Sequence, residues 1–146
     1  MTIQLKSEQI LLALLPVLQG GEPTLTRNTP LPDLSGTVKV VRLLDGPKPE
    51  QTEAFLNPPM YEFTMRPFVQ VVVSNMDDAA RDAAVNDAVE NLLTAIGTIA
   101  DDLTGLVTDI RPQPVSGTPR ELFGIAGMKA AELEIEIDYW SDSSAG

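Results

Sequence analysis

The chain has 146 residues, 21 of them acidic and 10 basic, for a net charge of −11, and 43 % of its residues are apolar. That length and apolar share predict one globular domain, 1–146, able to bury roughly two thirds of its unfolded surface. Cysteine and histidine are both absent, which excludes disulfides, thiol chemistry, imidazole- or thiolate-bound metals and any Ser-His-Asp or Cys-His nucleophile within one chain.

The acidic balance argues against binding to phosphate backbones. It reads either as a solvated surface or as a wall past which nucleic acid moves without adhering. No apolar run approaches the roughly 20 residues that span a bilayer, and the start, Met1-Thr2-Ile3-Gln4, lacks a basic segment leading to a cleavage site. A cytoplasmic origin is therefore expected, with no membrane partner.

In chain order, Ser7 is placed to cap a first helix, with Ile10, Leu11, Leu14 and Leu18 on one face, Pro16 in its last turns and Gly20-Gly21 at its end. Residues 22–36, rich in Pro and Thr, read as irregular or weakly extended. Thr37 to Leu43 reads as a strand. The segment 45–59 contains four prolines, together with Phe55 and Leu56, and reads as a long arm or loop. Met60 to Arg66 alternates, with Tyr61, Phe63 and Met65 on one face. Phe68 to Val73 resumes the pattern, giving one strand bent at Pro67, or two strands, with proline at an edge or bulge.

Ser74 to Asp78 is a helix start, and Val85, Val89, Leu92, Ile96, Ile99 and Leu103 form a stripe that carries the helix to about Leu103. Leu106 to Ile110 reads as a short strand, and 111–127 as a second loop. From Lys129 to Tyr139 the last strand places Leu133, Ile135, Ile137 and Tyr139 inward and Glu132, Glu134, Glu136 and Asp138 outward. The expected fold is α+β: one mostly antiparallel or mixed sheet of four to five strands with two helices packed on one face.

Phosphate-binding glycine loops and the Gly-x-Ser-x-Gly elbow are missing. The pairs Asp77-Asp78 and Asp101-Asp102 have the character of metal ligands, but their place at helix ends is explained by capping. No catalytic residue, cofactor site or metal site is expected. The four alternating acids of the last strand read as a wet outer sheet face, or as an acidic interface or channel surface.

Several short pieces in a fixed order carry a resemblance: Asn57-Pro58-Pro59-Met60-Tyr61-Glu62; Arg66-Pro67 before the valines; Ala80-Arg81-Asp82 opening a helix that ends in Ala95-Ile96-Gly97; Leu103-Thr104-Gly105-Leu106-Val107; and Gly127-Met128-Lys129-Ala130-Ala131 entering a strand that closes with Asp138-Tyr139-Trp140-Ser141-Asp142. Over roughly residues 50–145 the chain resembles the tail terminator proteins of long-tailed, siphovirus-like bacteriophages and gene transfer agents. The resemblance implies a structural virion protein at the head-proximal end of the tail, assembled in the host cytoplasm. It implies a homo-hexameric ring that caps the tail tube protein, ends polymerisation and docks a head-completion or neck protein, while DNA passes through without specific binding. Glu132, Glu134, Glu136, Asp138, Pro58, Pro59, Glu62 and Arg66 are the candidate interface or channel residues. The alternatives are another neck or tail-completion subunit, or a small ligand-binding α/β domain.

Overall fold

A computed structural model describes residues 5–31, 36–99, 103, 105–115 and 127–146. The elements are α1 (Lys6–Gly21), β1 (Thr26–Arg27), β2 (Val38–Leu44), β3 (Glu50–Leu56), β4 (Pro59–Met65), β5 (Phe68–Ser74), α2 (Asp78–Gly97), β6 (Asp109–Pro112) and β7 (Met128–Ser141). The α+β class is as expected. The sheet, however, has seven strands among the described residues, ordered β1-β2-β5-β7-β4-β3 with β6 also on β7, where four to five were expected. Among the described residues only the β1–β2 pairing is parallel.

The fourteen-residue β7 is the spine. Its first half pairs β5, Phe68 opposite Glu134, and its second half pairs β4, Met65 opposite Ile137. Between them Pro67 accepts a hydrogen bond from the Ile135 amide at 2.8 Å, so β4 and β5 form one long strand interrupted at Pro67. The proline falls where β2 ends and β3 takes over as the outer neighbour. That junction is a local edge, where a missing donor is tolerated.

Period-two burial on β7 leaves Leu133, Ile135, Ile137 and Tyr139 essentially without solvent contact. They pack with Ile10, Leu14 and Leu18 of α1 and Leu92 and Ile96 of α2 in one cluster that also takes in Val69, Val71 and Val73. Both helices thus lie on the same face of the sheet. The buried Glu22, just past α1, accepts from Lys39 Nζ at 3.1 Å and Asn91 Nδ2 at 3.2 Å, tying α1 to β2 and α2.

Several boundaries differ from the sequence reading. Ser7 lies inside α1; the capping position is Leu5, which makes no side-chain cap. Asp77 does cap α2, accepting from the amides of Ala79 and Ala80. The helix stops at Gly97, because Thr98 turns back to the Ala95 carbonyl through both its amide and its hydroxyl, and Leu103 has a positive φ of 55°. The strand expected at Leu106–Ile110 is shifted to β6, Asp109–Pro112. The arm 45–59 is largely strand, β3 and the turn into β4. Asp101-Asp102 and residues 116–126 of the second loop lie outside the described residues.

Candidate docking face and arm

The sheet face opposite the helices carries every candidate acid of β7. Antiparallel register puts Thr64 opposite Asp138, Glu62 opposite Trp140, Phe68 opposite Glu134 and Gln70 opposite Glu132. Arg66 and Arg111 rise among them. Arg111 Nη1 donates to Asp138 Oδ2 at 3.0 Å and also contacts Asp109, while its Nη2 donates to Glu136. Thr64 Oγ1 donates to Asp138 Oδ1 at 2.7 Å. Arg66 reaches Glu50 at 3.5 Å and Glu136 at 3.8 Å.

Partial burial works to raise the Asp138 pKa, but the hydrogen bonds from Arg111 and Thr64 outweigh it and leave the carboxyl below its ordinary range. The same contacts raise the Arg111 pKa, Asp138 contributing most, then Glu136 and Asp109. Further along the face, Arg42 donates twice to Gln70 Oε1, at 2.8 and 2.6 Å, and Gln70 donates to Glu132 at 3.3 Å. The row of like charges therefore does not persist through hydration alone, as the alternation suggested. Two guanidiniums and an amide hold three of its four members. Glu134 is the exception: among the described residues its side chain makes no hydrogen bond or ion pair.

Glu134 borders a cleft of about 390 Å³ walled by Pro47, Phe68 and Pro114 and edged by Arg66 and Glu132. Gly46 fixes one wall. Its φ of +74° suits only glycine, and a Cβ there would lie 2.2 Å from the Arg66 carbonyl oxygen. The turn Gly46-Pro47 is thereby pressed onto the β4–β5 junction.

Pro58, Pro59 and Glu62 belong to a different feature, the β3–β4 hairpin. All seven residues of β3 are exposed, so neither helix covers either face of it. The turn contains a cis Asn57-Pro58 bond. Beyond Tyr61, which pairs with Ser141, the hairpin outruns β7. Its tip presents Phe55 and Leu56, 55 % and 75 % exposed, beside Met60. The Phe55 ring stacks on Trp140 with centroids 5.6 Å apart, and Thr52 donates to Glu62 at 2.7 Å. The structure thus brings Arg66 together with the β7 acids, and places Pro58 and Pro59 about 30 Å along the sheet from Glu134 by the β-strand register, at roughly 3.3 Å per residue. Arg111, missing from the sequence candidates, stands two residues after an acid in a short strand, a weak signal. Among the described residues no group of three or more carboxylates is arranged to hold a metal ion.

No family model matches the chain, and no curated protein matches it. Among solved structures it is similar to a chain of the "Virion of native gene transfer agent (GTA) particle", with 15 % identity, a TM-score of 0.54, and coverage of 90 % of this chain and 92 % of that one. At that identity the likeness establishes a shared fold.

Proposed function

We propose that the chain is a structural protein of a phage-like virion and, within it, the tail terminator. On this reading it catalyses nothing. Copies assemble into a six-membered ring on the head-proximal end of the tail tube, stop the tube from growing, and offer the opposite side to a head-completion or neck protein. The observation that carries the reading is that the fold shared with the gene transfer agent virion chain runs over nearly the whole of both chains.

The chemistry of the chain agrees with such a role. Without His or Cys it lacks the usual proton shuttles and nucleophile activators. A head-to-tail ring needs two different patches on each subunit, and the exposed hairpin and the cleft beside Glu134 are two such patches. The β7 row remains net negative even with Arg66 and Arg111 among its four acids, so a bore lined by it would let DNA pass without adhering.

The test is tube growth. Purified chain added to polymerising tail tube protein should arrest the tubes, with a ring visible at one end in electron micrographs. Tubes that grow to the same lengths with and without it would refute the assignment.

A further inference from the structure

Resting on the ring reading, we propose how one copy grips the next: the tip of the β3–β4 hairpin, Phe55 and Leu56, inserts into the Phe68 cleft of a second copy, and Lys6 beside the tip meets Glu134 beside the cleft.

The tip needs cover. Four of the eight large apolar side chains exposed among the described residues, Leu5, Phe55, Leu56 and Met60, lie at this end of the molecule. A strand exposed on both faces gains nothing from the monomer's own core, and an uncovered apolar edge is a liability for a soluble chain. The occupant follows from charge. In a chain of net −11, two copies repel wherever their acidic surfaces meet, so a homotypic contact must use neutral surface. From Ala54 to Tyr61 eight consecutive residues carry no charge. A cation, Lys6, lines the hollow together with Met60 and Trp140 and makes no side-chain bond among the described residues. It is the counterpart of Glu134, the one acid of the β7 row whose side chain makes no hydrogen bond or ion pair among the described residues.

The receiving surface follows from what the sheet edges permit. Sheet extension across the far edge is disfavoured: in β6 the Ile110 amide already donates to Asp109 Oδ1 at 2.9 Å, and Pro112 has no amide proton. The cleft offers side-chain insertion instead. The cleft is walled by Pro47, Phe68 and Pro114 and rimmed by Arg66, Glu132 and Glu134, and its roughly 390 Å³ accommodates a leucine or phenylalanine side chain. Because tip and cleft are separate patches on each subunit, the contact is head-to-tail and repeats from copy to copy, whereas tip-to-tip contact would stop at a pair.

The absence of native cysteine makes the test direct. Asn57→Cys, beside the tip, and Lys48→Cys, beside Pro47 at the cleft, are both at exposed positions; the two variants, each checked for wild-type melting, are mixed and oxidised. A disulfide-linked heterodimer between the two variants is expected, and neither variant alone should link. In parallel, Lys6→Glu or Glu134→Lys alone should reduce assembly by light scattering, and the two together should restore it. Cross-linking of Asn57→Cys to itself would overturn the proposal in favour of a two-fold contact. Absence of any link, or a double variant no better than the singles, would overturn it as well. If rings still form in micrographs of the wild type, only the contact is wrong; if no rings form under any condition, the terminator reading fails with it.

Discussion

Leu92 and Leu56 are the same residue in opposite surroundings, and truncating each to alanine separates what folds the chain from what the chain exposes. Leu92 has no solvent contact and sits in α2 against α1 and the sheet. Leu92→Ala removes three buried carbons, a transfer loss of about 2.4 kcal/mol at roughly 0.8 kcal/mol each, and the incompletely collapsed space adds about 1–2. The sum, about 3–4 kcal/mol, is a large part of the 5–15 kcal/mol typical of a domain and corresponds to a melting point lower by about 8–14 °C. Leu56, 75 % exposed, should change the stability of the monomer by less than about 0.5 kcal/mol when truncated. Urea unfolding of dilute, monomeric protein, with the denaturant slope checked for constancy, measures both. If Leu92→Ala costs under about 1 kcal/mol, the helix layer is not packed as described. If Leu56→Ala costs as much as Leu92→Ala, the hairpin tip belongs to the fold and the argument for an exposed contact surface fails.

Arg27 bridges α1 and the end of β2, with Nη1 2.7 Å from Glu8 and Nε 2.9 Å from Asp45. Its hydrogen bonds are the main reason the Glu8 and Asp45 carboxyls titrate below their usual range. Such groups add stability that is complete above the unfolded carboxylate pKa of about 4 and is lost as pH falls through the lowered folded values. The urea midpoint should therefore hold from neutrality to about pH 5 and drop below it, and Arg27→Met should make the acid limb shallower; an equally steep limb would contradict the bridge. Gly46→Ala should cost more than about 2 kcal/mol, since a left-handed alanine alone costs about 1–2 and its Cβ would also strike the Arg66 carbonyl; thermal melting decides it. Asp77→Ala removes the acceptor for two amides at the start of α2 and should cost about 1 kcal/mol, again by melting.

What was legible in the sequence was what burial imprints as a period. The α1 stripe Ile10, Leu11, Leu14 and Leu18 and the β7 row Leu133 to Tyr139 are buried as their spacing predicts. Elements that bury nothing left no such trace. Every residue of β3 is exposed, so its charges and the prolines that flank it read as a loop, and pairing with β4 makes it a strand. The two-residue β1 is fixed by its parallel register with β2, too short to carry a period. Among the site residues the acidic alternation was plain, but its meaning was not. Arg111 reaches three carboxylates only because β6 is registered on β7 with Asp109 opposite Asp138, and that pairing, with Gln70 on Glu132, leaves Glu134 as the member without a side-chain partner among the described residues. Phe55 and Leu56 were visible as apolar residues in a proline-rich segment, and their convergence with Met60 and Trp140 required the hairpin.

The most direct measurement is the location of this chain in a purified particle by electron cryomicroscopy. Density for its fold is expected, repeated six-fold, between the end of the tail tube and the neck, with each β3–β4 hairpin seated on the neighbouring subunit. Finished particles with normal tails that lack the chain altogether would contradict it.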